Sequence, residues 1–85
     1  MHVIAISTIT DEGQYWNSMK QAHARLPKGA RWTFAVGSTD GTRAVNVLVH
    51  DSVDAVSGFL EEYAGRYATT DYYEADAANA VGLPK

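Results

Sequence analysis

The sequence predicts an α+β fold of order β-α-β-β-α-β, a four-stranded antiparallel sheet with two helices on one face. Three observations carry this. Two alternating apolar segments flank Asp40-Gly41, a strong short hairpin signal. Two stretches, Tyr15 to Leu26 and Val53 to Tyr67, space their apolar residues at three and four. An apolar, β-branched run, His2 to Ile9, opens the chain, and a Thr- and Tyr-rich run, Ala68 to Asp76, follows the second helix. The 85 residues read as one domain, 1–85, in which 77–85 is a short tail.

The first strand, His2 to Ile9, is apolar on both faces, as a central strand should be. Asp11 can cap the helix that follows, with Gln14 at the reciprocal position of a capping box. Tyr15, Met19, Ala22 and Leu26 then form one stripe, with Trp16 and His23 along its edge. Pro27 and Lys28-Gly29 end the helix. Arg31 to Ser38 and Thr42 to His50 are the hairpin strands. With Asp40-Gly41 as a two-residue loop, Thr39 faces Thr42, Val36 meets Val45, Phe34 meets Val47, Trp32 meets Val49 and Arg31 meets His50. Asp51-Ser52 can cap the second helix, whose stripe is Val53, Val56, Leu60, Tyr63 and Tyr67, with Gly65 as its C-cap. Acidic residues in the last strand suit a sheet edge, and the alanine-rich tail can form one helical turn.

Right-handed crossovers place the first and third strands at the centre of the sheet. One sheet face then has no cover from this chain. The apolar set Trp32, Phe34, Val36, Val45, Val47 and Val49 is expected under the helices, because burial of large apolar side chains dominates that choice. Arg31, Thr33, Ala35, Asn46, Leu48 and His50 are then expected on the open face. With Ile4 and Ile6 turned to the helices, Val3, Ala5 and Ser7 join them. From the last strand come either Tyr73 with Asp71, or Tyr72 with Glu74 and Asp76.

Composition narrows the partners. Hydrophobic residues are 46% and charged residues 20%, which is globular rather than disordered composition. The net charge of -3 and the scatter of seven Lys and Arg give no basic field for nucleic acid or an anionic membrane. No apolar run approaches the length of a membrane span, no signal peptide is read, and a cytoplasmic location is expected. With Cys 0, neither disulfides nor thiolate metal sites can reinforce so small a domain, which points to a homodimer.

The layout, from residue 2 to about 76, resembles the dimeric α+β barrel superfamily, whose ferredoxin-like subunits pack their open sheets face to face. The likeness lies in length, element order and a sheet with two usable faces, not in a signature motif. It implies a homodimer with a small-molecule cavity between sheet and helices or inside the barrel. It further implies an activity, if any, of the monooxygenase, isomerase or cyclase type. No active-site motif of such a family lies on this chain, so no catalytic residue is assigned.

The residues themselves exclude several chemistries. RNA-recognition motifs share this element order but need aromatics on the central strands, which here read Val-Ile-Ala-Ile and Ala-Val-Asn-Val-Leu-Val. His2, His23 and His50 make no local chelate, and no metal site or cofactor motif is read. No phosphate loop or nucleophile motif occurs. The candidate ligand contacts are His50, Asn46, Arg31, Thr33 and His23. An imidazole beside an amide can bind or deprotonate a ligand group, although a strand-end His bonded to backbone is the plainer role for His50. His23 can reach a pocket under its helix, or simply sit half-exposed at the edge. Trp16, Trp32 and Tyr63 can line an aromatic pocket or fill the core. Two functions remain open: a homodimeric small-molecule binder that could act as a cofactor-free enzyme, or a non-enzymatic ACT-like regulatory module that binds an amino acid near Gly13.

Overall fold

A computed structural model describes residues 1–83. Pro84 and Lys85, the last positions of the expected tail, lie outside the described residues. The elements are β1 (His2–Ile9), α1 (Glu12–Ala24), β2 (Arg31–Gly37), β3 (Arg43–Val49), α2 (Val53–Ala64), β4 (Ala68–Glu74) and a 3-10 turn (Ala77–Asn79). The four strands form one antiparallel sheet in the order β2-β3-β1-β4. This is the split βαβ arrangement of the ferredoxin-like fold, with β1 and β3 central as the crossover rule requires. Among the described residues no helix is long and apolar enough to cross a membrane.

Local signals set the boundaries. Asp11 accepts the Gln14 N–H at 3.1 Å and Ser52 accepts the Ala55 N–H at 3.0 Å, so both helices begin on a side-chain cap. After α1 the Ala30 N–H reaches the Pro27 carbonyl, and Gly29 supplies the positive φ of 89° that this turn needs.

The sheet faces are the reverse of the expectation. Val3, Ala5 and Ser7 of β1 and Ala44, Asn46 and Leu48 of β3 are all buried under the helices. Phe34, Val36, Val45 and Val49 lie on the open face with Ile4 and Ile6, and Phe34 and Val36 are 44% and 53% exposed. Val47 shares that face but is covered, in a cavity formed with the C-terminal segment. Tyr73 and Asp71 are the β4 residues on the open side. The reason is volume. The helices already bring bulky groups, Tyr15, Met19, Val56 and Leu60, and a close-packed layer needs small partners opposite them. Apolar content alone does not choose the face.

The hairpin departs from the expected register at both ends. Phe34, Ala35, Val36 and Gly37 pair as expected with Val47, Asn46, Val45 and Ala44. A β-bulge between Trp32 and Phe34 then shifts the pairing, so that Trp32 meets Leu48 and Arg31 meets Val49 rather than His50. Trp32 therefore turns to the helix side after all, away from Phe34. At the tip, Thr39 and Thr42 do not pair. Ser38 N–H bonds the Arg43 carbonyl at 2.9 Å, and residues 39–42 form the loop, with Gly41 at φ 78°. One oxygen of the Asp40 carboxylate accepts from the Thr42 N–H (3.0 Å), the Ser38 hydroxyl (2.7 Å) and the Thr42 hydroxyl (2.8 Å).

Those bonds, led by the Thr42 N–H, hold the Asp40 carboxyl at a pKa of about 2. A depressed carboxyl contributes stability that is complete above its unfolded value, 3.8, and is lost as pH falls through about 2. An NMR titration of the Asp40 side chain is expected to give a midpoint near 2; a midpoint at 3.8 would show that the loop bonds do not persist in solution.

Candidate functional site

Helix α1 carries two stripes. Tyr15, Met19 and Ala22 point into the core. Trp16, Lys20 and His23, spaced four and three apart, form a second stripe beside it. That second stripe faces the edge strand β2 across a cavity of about 390 Å³, which is within the range of small-molecule sites. Trp32, Thr33, Phe34 and Ala35 line it from the sheet side, and Met19 of the core stripe also lines it.

The two indoles mark its ends. A Cβ on Gly37 would fall 2.8 Å from Trp16 Cζ2, so the Trp16 ring rests on the bare backbone of β2. The same ring stands edge-on to Tyr15, with centroids 5.1 Å apart at 87°. At the other end the His23 imidazole lies 5.6 Å from Trp32. Helix and strand run antiparallel here, which is why Trp16 meets the end of β2 while His23 meets its beginning.

Beneath the cavity runs a chain of polar groups that crosses the sheet. Trp32 Nε1 donates to Asn46 Oδ1 (3.2 Å), and Asn46 Nδ2 donates to the Tyr15 hydroxyl (3.2 Å). The Tyr15 hydroxyl donates to Ser7 Oγ (3.4 Å), which shares a 2.7 Å hydrogen bond with Thr70 Oγ1. Asn46, Tyr15 and Ser7 are fully buried, so each group satisfies its neighbour in place of water. The chain ties the Trp32 N–H to Asn46 and thereby presents the ring face, not the donor, to the cavity. At the β4 edge Tyr72 donates to Glu61 Oε2 at 2.7 Å. Burial, reinforced by that carboxylate, raises the Tyr72 pKa far above the usual phenol range.

Of the expected site residues, His23 and Thr33 line the cavity. Thr33 Oγ1 is buried and has no hydrogen-bond partner among the described residues. Asn46 lies one layer below, acting through Trp32. Arg31 and His50 line neither this cavity nor the one under the C-terminal segment. His50 follows β3, half-buried, its N–H on the Met1 carbonyl and its Nδ1 buried without a partner among the described residues. Tyr63 packs on Phe59 along α2 instead of lining the groove. Gly13 sits exposed in the first turn of α1 and lines neither of these cavities. Lys20 escaped notice because a lone lysine on a helix normally reads as a solvated face; its place midway between Trp16 and His23 was the available signal. No cluster of three His, Asp or Glu able to hold a metal occurs among the described residues.

A second cavity, about 270 Å³, lies between the C-terminal segment and the open face. Ile4, Phe34 and Val47 form its floor, and Asn79, Val81 and Leu83 its cover. Thus the described part of the tail lies beside its own sheet. Thr33 and Phe34 line both cavities, one on each side of the edge strand.

Asn46→Leu keeps the branched shape with bulkier end groups, orphans the Trp32 N–H and removes the donor to the Tyr15 hydroxyl, and is expected to cost about 2–4 kcal/mol in urea unfolding. Adding Trp32→Phe removes one orphan and should recover part of that loss; strictly additive losses would show that the pair is not coupled. Gly37→Ala is expected to displace the Trp16 ring, changing the near-UV circular dichroism while the far-UV spectrum holds. An unchanged near-UV spectrum would mean that the indole does not rest on this backbone. Comparisons with protein-family models, curated proteins and solved structures find no match to this chain, so its function is read from its own residues.

Proposed function

We propose that the protein is a homodimer of the α+β barrel kind that binds a small organic molecule in the groove between α1 and β2. The observation that carries this is the double role of Phe34. It is 44% exposed on the open sheet face, and it also lines the groove. A second copy laid on that face would cover Phe34 and close the groove from the sheet side.

The open face supports the dimer. Ile6, Phe34, Val36 and Tyr73 are exposed on it, beside half-buried Val45 and the one charged residue Asp71, and monomers rarely leave so large an apolar patch in water. Symmetric pairing of identical faces is the commonest way to bury one. The groove supports the ligand: it is concave, largely aromatic and edged by a few polar groups, Lys20, His23 and Thr33. His23 is the one imidazole in the lining, and so the group that any cofactor-free proton transfer there would use.

Sedimentation at micromolar concentration is expected to show a dimer, and Val36→Asp, which buries a charge in the proposed interface, a folded monomer. A monomeric wild-type protein under those conditions would overturn the dimer.

A further inference from the structure

We propose that the groove selects a flat aromatic molecule carrying one carboxylate, its ring between the two indoles and its anion on Lys20. This rests on the small-molecule function proposed above and names the class of ligand.

The first support is the shape and chemistry of the walls. Trp16, Trp32, Phe34 and the His23 imidazole supply four planar rings around one cavity. Because Asn46 already holds the Trp32 N–H, that ring offers a π surface and not a hydrogen bond. Planar walls favour a planar occupant. At about 390 Å³ the space is near the small end of ligand sites, which suits one or two fused rings.

The second support is charge. Among the described residues Lys20 is the only Lys, Arg, Asp or Glu in the lining, so a cation stands there with no described carboxylate in the cavity wall. It lies one helical turn after Trp16 and one before His23, so its stem leaves the helix between those two ring-bearing positions. A single ammonium on a flexible stem matches a single anionic group, where a forked guanidinium would match a bidentate one. The whole chain is net acidic, at -3, so any preference for an anion must come from this local charge and not from the overall field.

The test compares 2-naphthoate with 2-naphthamide, which has nearly the same shape and no charge, by calorimetry and by the indole N–H resonances of Trp16 and Trp32. The wild-type protein is expected to bind the carboxylate at least about tenfold more tightly than the amide. In Lys20→Gln that preference should fall below about threefold, with the amide's affinity unchanged. Equal binding of the two by the wild type, or a preference that survives in Lys20→Gln, overturns the anion assignment and leaves the groove as a binding site. If neither compound binds or moves an indole resonance at millimolar concentration, the groove itself fails as a small-molecule site.

Discussion

The arrangement of this domain depends on a volume constraint between two layers. Tyr15, Met19, Val56 and Leu60 project from the helices, and the central strands meet them with Val3, Ala5, Ser7, Ala44, Asn46 and Leu48, most of them small. Close packing leaves no room for two bulky layers at one helix–sheet spacing. Once the small residues of the central strands are committed beneath the helices, strand alternation sends Ile4, Ile6, Val45 and Val47 to the opposite side. The uncovered apolar face is thus a consequence of how the covered one is filled.

The same constraint explains a polar chain in the core. Ser7 and Asn46 are small enough to lie under the helices, but they bring groups that must be bonded. The Tyr15 hydroxyl and the Trp32 N–H meet that need, and in doing so they fix two large rings in single orientations. The resulting specificity extends outward, because one of those rings is also a cavity wall. A purely apolar layer would hold the helices as well, yet leave Trp32 free to rotate.

Much of this was legible in the sequence, and the rest failed for identifiable reasons. The element order, the Asp11 cap, the Pro27–Gly29 stop and the pairing from Phe34 to Gly37 follow from local signals, each decided within a few residues. The choice of sheet face is not local. It turns on the sizes of side chains on two helices remote in sequence, and counting apolar residues in the hairpin points the wrong way. The bulge at Trp32 and Thr33 leaves no mark in residue type, so the paired register could be extended one step too far. His23 is legible beside the groove from its place on the edge of the α1 stripe; Thr33, expected on the open face, lines the groove from the bulge; Lys20 is not legible, since its helix position is ordinary until the facing strand is known.

The extra residue at the bulge has a consequence for how this molecule could diverge. In a regular strand Trp32 and Phe34 would share one face. Here they look to opposite sides, one toward the groove and one toward the open face. The indole's place in the groove is therefore set by a count of backbone units rather than by a choice of side chain. A lineage that shortened β2 by one residue at this point would transfer the ring from the groove to the open face, enlarging one and stripping the other. Groove wall and open face draw on one ring, and a single deletion decides which of them holds it.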